Sequence, residues 1–331
     1  MGVSPRLDFR PGPRRQSRDV RVFFATDIHG SETCWRKFLN SGTHYKADVL
    51  ILGGDMTGKA LVPVIHDGNG HWHGTLQEQR RELSGDDEVT AFEHDVIRRG
   101  YYPFRTTPDE LAELEADSER LDELFHSHML GTVERWMQMA EEKLAGQPQR
   151  MFVCPGNDDQ FEVDEILGAA RRVELAEGRV VEVDGFQMAS TGWANPTPWH
   201  TYREEPEDVL LERIRSVTSQ LTAAPERTIL NLHCPPYGSG LDDAPGLDDD
   251  LKPKHGGHAP EPVGSTAVRT AIEETRPVLS LHGHIHEARG HTRIGPTLSI
   301  NPGSAYEQGD LMGALIELNG KKVKNFVLTS G

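Results

Sequence analysis

The chain has 331 residues, which is enough to bury a large core in one or two domains. Its 35 basic and 52 acidic residues give a formal net charge of −17, which argues against a surface that binds nucleic acid or anionic membranes in general. The three cysteines are far apart and odd in number, so we expect no disulfide framework and a reducing, cytoplasmic location.

Residues 1–18 are rich in Arg, Pro and Ser and contain no apolar segment typical of a signal peptide. We therefore predict a flexible N-terminal arm, followed by one domain over residues 19–331. No apolar run reaches the roughly 18 residues of a membrane span, so no contact with a membrane is expected.

The first predicted strand covers residues 20–26, whose side chains are mostly apolar and β-branched or aromatic. Such runs are typical of parallel sheets that helices cover on both faces. Gly30 ends the strand and Ser31 can cap a following helix, so Asp27 and His29 lie at a strand's carboxyl end, where open α/β sheets bind ligands. On an extended backbone, residues two apart point to the same side. This carboxylate and this imidazole are therefore expected to converge on one point, as a metal ion requires.

Two further predicted strands, residues 48–52 and 151–154, repeat this pattern. Each is followed by a glycine and then by a polar residue, which is Asp55 after the second strand and Asn157 after the third. The sequence therefore places potential ligands at the ends of three successive strands.

About a hundred residues separate the second strand from the third, far more than one crossover needs. Residues 67–70, Asp-Gly-Asn-Gly, predict a β-hairpin. A capping box that starts at Thr107 predicts one long amphipathic helix that continues to about residue 144, with a bend at Gly131. We predict that a hairpin and helices are inserted over about residues 59–150, close to the mouth of the site.

The carboxyl-terminal half continues the alternation of strands and polar residues. One predicted strand, residues 228–232, ends at His233, and another, residues 277–281, leads into His284 and His286. Residues 238–262 are rich in Gly, Pro and Asp and predict a long loop between these strands. The remaining predicted strands complete a second set and cover residues 179–193 (two short strands), 297–300, 314–318 and 323–328.

Five strand ends together supply seven potential metal ligands, although each is a weak signal alone, because a strand-end Asp is usually a cap and a buried His usually a core residue. Hydrolysis of a phosphoester needs a nucleophile at neutral pH and neutralisation of phosphoryl charge, and two metal ions about 3.5–4 Å apart, with a bridging hydroxide, provide both. One carboxylate must bridge the ions. Mixed carboxylate, amide and imidazole ligands suit Mn, Fe, Zn or Co. The candidate ligands are Asp27, His29, Asp55, Asn157, His233, His284 and His286, with Asp55 as the bridge.

The order of these blocks resembles that of the calcineurin-like metallophosphoesterases, which is Asp-x-His, Gly-Asp, Gly-Asn-His, a lone His and Gly-His-x-His. The resemblance spans about residues 20–290. It implies an α/β fold, a four-layer α-β-β-α sandwich, with a dinuclear metal site between loop ends. By position, one ion would be held by Asp27, His29, Asp55 and His286, and the other by Asp55, Asn157, His233 and His284.

One departure from the family pattern concerns the proton donor. The family's usual His after the Asn, which protonates or orients the leaving group, is Asp158 here, followed by Asp159. A carboxyl group acts as a general acid only if its pKa is raised, and we expect the two metal ions to keep Asp158 ionised. The resemblance gives Asp158, Asn157 and His233 as the candidate catalytic residues.

Two other signals weigh less. Lys59 follows Asp55 in a segment that nearly matches a phosphate-binding loop but lacks its hydroxyl residue. We therefore favour a surface lysine over a contact between Lys59 and a substrate phosphate. Trp193, Trp199 and Tyr202 lie in a Pro-rich loop, where packing is favoured over stacking on a substrate.

The sequence therefore predicts a cytoplasmic, dinuclear phosphoesterase that acts on a small-molecule phosphodiester, such as a nucleotide or a cyclic nucleotide. The alternatives are a phosphomonoesterase or a nuclease of the same family, or a scaffold that retained the fold without catalysis. The charge of −17 disfavours a nucleic-acid partner.

Overall fold

Two six-stranded mixed sheets form the centre of the structure, a computed structural model that describes residues 19–246, 252 and 260–331. In spatial order, the first sheet contains β18 (Lys322–Ser330), β17 (Met312–Asn319), β1 (Val20–Ala25), β2 (Val49–Leu52), β7 (Arg150–Val153) and β8 (Glu174–Leu175). The second contains β15 (Gly290–Ile294), β16 (Thr297–Asn301), β14 (Leu279–Leu281), β11 (Thr228–Leu232), β10 (Phe186–Thr191) and β9 (Arg179–Val183).

The central strands of each sheet run parallel. In the first sheet β1, β2 and β7 pair in parallel, and in the second β10, β11, β14 and β16 do so. Because parallel strands end at the same edge, the loops that follow them meet at one rim of each sheet.

Both faces of the first sheet are buried, which explains why its strands are apolar at successive positions. Along β1, Phe23 and Ala25 pack into the cluster under the helices, while Val22 and Phe24 pack into the cluster between the sheets. This alternation follows from the two-residue period of a strand.

Helices cover the outer face of each sheet. On the first sheet lie α1 (Glu32–His44), α4 (Ser118–Leu144) and α5 (Val163–Ala169), and Trp35 stacks on Trp136 between α1 and α4 with ring centroids 4.9 Å apart. On the second lie α6 (Glu207–Thr218) and α7 (Thr266–Thr275), over a third apolar cluster. The predicted four-layer α-β-β-α sandwich is confirmed.

Between β2 and β7 the chain forms a small four-stranded sheet with its own apolar cluster. Its strands are β3 (Leu61–Gly68), β4 (His71–Leu76), β5 (Gln79–Ser84) and β6 (Tyr102–Thr106), and α2 (Gly85–Arg98) packs against them. The predicted hairpin is the β3–β4 pair. Strands β5 and β6 were not predicted. The sequence of β5, Gln-Arg-Arg-Glu-Leu-Ser, is mostly polar because this strand lies at an exposed edge of the sheet.

The single long helix predicted from Thr107 is wrong. The capping box at Thr107 starts α3 (Pro108–Glu115), and α4 begins separately, because the Asp117 side chain accepts a hydrogen bond from the Arg120 amide. Gly131 lies inside α4, at which no break occurs.

Parts of two predictions lie outside the described residues. These are the N-terminal arm, residues 1–18, and residues 247–251 and 253–259 of the predicted loop. In the described remainder of that loop, β12 (Asp243–Pro245) pairs with β13 (Pro260–Pro262). None of the helices in the described ranges has the length and apolar character that a membrane crossing requires. The domain boundaries and the extent of the insertion remain predictions.

Candidate metal centre

The loops that follow the parallel strands are joined by backbone hydrogen bonds. The amides of Asp27 and His29 donate to the carbonyls of Gly54 and Asp55, at 2.9 and 3.0 Å. On the second sheet, the Gly283 amide donates to the His233 carbonyl at 2.9 Å. These bonds fix the strand-end side chains relative to one another before any ligand is considered.

Four candidate ligands have a left-handed backbone, namely Asp27 (φ 52°), His29 (φ 36°), Asp55 (φ 48°) and His284 (φ 67°). The expected extended backbone at Asp27 and His29 is therefore wrong, since β1 ends at Ala25. Such conformations cost non-glycine residues free energy, roughly 1–3 kcal/mol each, and concentrate at functional sites. The convergence of these side chains thus depends on strained loops rather than on strand geometry.

Glycine is required beside the ligands because they approach the backbone closely. A Cβ added at Gly54 would lie 2.1 Å from His233 Nδ1, and one at Gly283 would lie 2.2 Å from Asp27 Oδ2. The glycines of the Gly-Asp and Gly-His-x-His blocks thus make room for ligand side chains of other blocks.

The first group of candidate ligands contains Asp27, His29 and His286, whose potential ligand atoms all lie within 4.8 Å of one another. The Nε2 atoms of His29 and His286 are 3.1 Å apart, and His286 Nε2 lies 3.4 Å from Asp27 Oδ1. Two ligands that each lie about 2.1 Å from one ion at tetrahedral or octahedral angles are separated by roughly 3.0–3.4 Å. His286 therefore has the spacing of a ligand that shares an ion with His29 and with Asp27, while His29 Nε2 and Asp27 Oδ1 are 4.0 Å apart.

The second group contains Asp55, His233 and His284. Asp55 Oδ2 lies 3.3 Å from His233 Nε2 and 3.7 Å from His29 Nε2 of the first group. Its other oxygen, Oδ1, accepts the Asp158 amide at 3.0 Å. One oxygen of Asp55 thus faces both groups, as in a carboxylate that bridges two ions through a single oxygen.

Asn157 is oriented by a polar chain that the sequence did not reveal. Its Nδ2 donates to Thr201 Oγ1 at 2.8 Å, and that hydroxyl donates to Glu204 Oε1 at 2.6 Å. The amide nitrogen is therefore engaged, and Asn157 Oδ1 is buried without a hydrogen-bond partner. This arrangement leaves the oxygen, which is the atom that binds metals, available.

A comparison of two buried histidines shows that the candidate ligands suit a metal ion. His282 has partners for both ring nitrogens, Leu232 O at 2.8 Å and Ser280 Oγ at 2.9 Å, and is a satisfied core residue. His233 faces Gly53 O through Nδ1, at 3.2 Å, while its Nε2 is buried, lacks a hydrogen bond and points at Asp55. A histidine that is held through one nitrogen and free at the other is arranged as a metal ligand.

The charges in the cluster act differently on the three histidines of its interior. Burial lowers the pKa of His233, but the carboxylates of Asp55 and Asp27 outweigh it and raise that pKa to about 10. Burial lowers the pKa of His29 to about 3 and that of His284 to about 4. His29 and His284 are thus neutral, the form that binds metals, whereas His233 must lose a proton when it binds one.

Asp158 lies at the mouth of the site, 19% exposed, with Oδ2 3.8 Å from His29 Nδ1 and 2.9 Å from Lys59 Nζ. Burial and the Asp55 carboxylate raise the pKa of Asp158 to about 6, against the opposing effect of Lys59. Asp159 is fully buried and accepts hydrogen bonds from the amides of Met56 and Thr57. Asp159 therefore ties two ligand loops together rather than acting on a substrate.

The segment Asn301-Pro302-Gly303-Ser304 resembles a loop near the site in the metallophosphoesterases, and the sequence indicated only turn geometry for it, whereas two of its side chains support the candidate ligands. Asn301 Nδ2 donates to the carbonyls of Gly283 and Ile285, at 3.2 and 3.0 Å, and Ser304 Oγ donates to Asp27 O at 2.6 Å. Asn301 is the last residue of β16, and Ser304 follows after Pro302 and Gly303. In the aromatic loop, Trp193 packs beneath Arg213, as expected, whereas Trp199 and Tyr202 are exposed.

A further group with possible ligand atoms lies on the inserted sheet and contains Asp67, His73 and Glu82. Its two carboxylate residues are exposed, and His73 Nδ1 already pairs with Asp67 Oδ2 at 2.8 Å. We assign no metal site to this surface group.

The comparisons with known proteins concern mainly the fold. No family model matches the sequence. The uncharacterized protein MJ1162 of Methanocaldococcus jannaschii is 29% identical over 188 residues, which are 54% of this chain and 78% of that protein. TT1561 of Thermus thermophilus superimposes with a TM-score of 0.50 at 13% identity, over 95% of this chain and 99% of that one.

Another solved structure superimposes with a TM-score of 0.53 at 16% identity, over 94% of this chain and 99% of that one. The four-layer architecture of this chain is the one that the resemblance to the metallophosphoesterases implies. A structure described as a novel archaeal phosphodiesterase matches at 10% identity with a TM-score of 0.39, over 94% of this chain and all of that one.

Proposed function

We propose that this protein is a metal-dependent phosphoesterase that hydrolyses a small-molecule phosphodiester of the nucleotide or cyclic-nucleotide type. The observation that carries the proposal is the convergence of two buried Asp–His groups on one carboxylate oxygen of Asp55, beside two buried ligand atoms that lack partners, His233 Nε2 and Asn157 Oδ1. A scaffold has no need for a strained, desolvated cluster of this kind.

The proposal assigns the ligands in two sets that share Asp55. Carboxylate, amide and imidazole donors together suit Mn, Fe, Zn or Co. Two such ions, when bound, supply a nucleophilic water at neutral pH and neutralise charge on phosphoryl oxygens. One set is Asp27, His29, Asp55 and His286, and the other is Asp55, Asn157, His233 and His284.

The residues of the chain hold this arrangement in place. The Gly53 carbonyl orients the His233 ring, Thr201 orients the Asn157 amide, and the amide of Asp158 holds the outer oxygen of Asp55. Partners of this kind fix the orientation of metal ligands and contribute to metal affinity.

The preference for diesters is inferred from the position that Asp158 occupies. Asp158 is largely ionised at neutral pH, even with its raised pKa of about 6, and so is a poor proton donor there. Reactions whose leaving group departs without protonation, such as those of aryl or nucleoside diesters, should therefore be favoured over those of alkyl monoesters.

A cleft beside the centre can accommodate the organic part of a small substrate. It has a volume of about 580 Å³ and is lined on one side by Gln160 and Tyr202. The other side is the first part of α4, where Phe125 and His126 lie beside three acidic residues, so only an uncharged part of a substrate fits there. The full α4 lining is Ser118, Glu119, Asp122, Glu123, Phe125 and His126. Gln160 is three residues from Asn157, hence at most about 11 Å away along the chain, and Tyr202 follows Thr201. The half-exposed ring of Tyr202 provides a face on which a base can stack.

The direct experiment measures turnover with metal ions added. The protein, loaded with Mn²⁺, is assayed on a chromogenic aryl phosphodiester and then on a pool of nucleotide diesters, cyclic nucleotides and monoesters. Asp55→Asn should abolish turnover, whereas the matched control Asp67→Asn, which changes a carboxylate beside a surface histidine, should retain it. Two bound ions without turnover on any ester would instead favour the scaffold.

The remaining parts of the proposal concern location and partners. Cys34, Cys154 and Cys234 are free thiols, which is consistent with the expected reducing, cytoplasmic location. The net charge of −17 disfavours DNA or RNA as the substrate, and a steep decrease of DNA affinity with salt concentration would revive the nuclease alternative.

A further inference from the structure

Lys59, for which the sequence favoured a surface position over a contact with a substrate phosphate, is half-exposed and paired with Asp158. Its Nζ lies 2.9 Å from Asp158 Oδ2, and the same oxygen lies 3.8 Å from Nδ1 of the candidate ligand His29. The Lys59 side chain is 47% exposed, so its ammonium lies at the mouth of the centre, between the ligands and solvent.

The charge of Lys59 acts directly on the candidate ligands. It lowers the pKa values of Asp55 and His29 and opposes the rise in that of His286. A fixed cation at this position repels metal ions, so it does not serve metal binding. Its placement is explained if an anion lies between the ammonium and the metal ions.

The geometry leaves Lys59 able to bind such an anion. An ammonium has three N–H donors, and the Asp158 carboxylate takes one of them. The remaining donors are at the exposed end of the side chain. Lysine binds phosphate oxygens in this manner, as a compact charge that donates hydrogen bonds.

We propose that Lys59 binds a non-bridging phosphoryl oxygen of the substrate and that Asp158 positions its ammonium for this contact. The proposal rests on the function proposed above. It assigns a role to the residue that replaces the family's histidine: Asp158 places a positive charge at the mouth instead of supplying a proton. Lys59 is then a residue that contacts the substrate, and Asp158 is a positioning residue.

The test measures the binding of inorganic phosphate separately from turnover. Isothermal titration of the Mn²⁺-loaded protein with phosphate compares the wild type with Lys59→Met, Lys59→Arg and Lys324→Met. Lys324 is the matched control, because its side chain is 51% exposed and its Nζ pairs with Asp19 Oδ2 at 2.6 Å, on the edge strand β18. Metal content and thermal unfolding are measured for every variant.

Lys59→Met should weaken phosphate binding by about tenfold or more, the effect of losing a hydrogen bond between charged groups. Lys59→Arg should recover part of this loss, and Lys324→Met should bind as the wild type does. All variants should retain two ions. In the turnover assay, Lys59→Met should lower kcat/KM for the diester by about 10–100-fold.

Equal phosphate affinity in the wild type and in Lys59→Met would overturn the proposal, as would a wild type that binds two ions but no phosphate. Loss of metal in Lys59→Met would show a structural role and overturn it as well. If the wild type binds ions and phosphate but hydrolyses no ester, the proposed function fails, while the comparison of phosphate affinities still decides the role of Lys59.

Discussion

Replacing Asp158 by Asn tests whether this residue donates a proton or positions Lys59. Asparagine retains the size of the side chain and an oxygen that can accept from Lys59 Nζ, which lies 2.9 Å away from the carboxylate. It removes the acidic proton and the negative charge. The two roles therefore predict different losses for one substitution.

The magnitude follows from the pKa of about 6 that burial and Asp55 give Asp158. With that value, about a tenth of the molecules carry the proton at pH 7, and two nearby metal ions would lower this fraction further. Asp158→Asn should therefore lower kcat/KM by less than about tenfold, well below the 10²–10⁴-fold typical of a lost general acid. Asp158→Ala, which also removes the acceptor for Lys59, should cost more.

The assay measures kcat/KM from pH 5 to pH 9 on an aryl and on an alkyl phosphodiester, with metal content determined in parallel. A proton donor with a pKa of about 6 would cause the rate to fall above pH 6, and this fall would vanish in Asp158→Asn. We expect no such difference between the two profiles. A thousandfold loss on the alkyl substrate, with both ions bound, would refute this reasoning and make Asp158 the acid.

Four other predictions concern the metal ligands and the inserted sheet. Asp55→Asn should lose more metal, measured by elemental analysis, than any change at Lys59, because its Oδ2 faces both ligand groups. Thr201→Val should weaken the binding of one ion by about 10–100-fold in a metal titration, since it frees the amide of Asn157, while Thr201→Ser should not. Shortening the hairpin tip, residues 67–70, should change substrate preference in the ester pool yet leave two ions bound; loss of an ion would contradict this. The pKa of His233 is raised from its ordinary 6.5 to about 10 in the metal-free protein. The protonated ring therefore stabilises the metal-free fold fully below pH 6.5, and this contribution is lost as the pH rises through about 10. Urea unfolding from pH 6 to pH 10 checks this, and His233→Gln should lack the effect.

The four layers of the fold and the positions of the strand ends could be predicted because both depend on the order of apolar, glycine and polar residues along the chain. Apolar strands followed by a glycine and a polar residue mark the carboxyl ends of parallel strands, and the strands that carry Asp27, Asp55 and His233 were placed within a residue or two of their observed bounds. The burial of β1 on both faces follows from the same apolar run.

The features that were not predicted depend on contacts between residues far apart along the chain, or on side chains that bond to the nearby backbone in place of a continuing helix. Thr201 reaches Asn157 across 44 residues, and the pairing of Lys59 with Asp158 joins different loops. The break between α3 and α4 depends on one side-chain cap at Asp117, which competes with helix continuation. The left-handed backbone at the ligands is imposed by the folded loops. Asp and His adopt it more often than most non-glycine residues do, but residue type alone does not predict where it occurs.

The central claim, that two metal ions share Asp55, is tested most directly by counting the ions. The purified protein is loaded with Mn²⁺, freed of excess metal and measured by elemental analysis beside Asp55→Asn. The account predicts two ions per chain in the wild type and fewer than one in the variant. A wild type that retains no divalent transition metal, or a variant that still retains two, would contradict it.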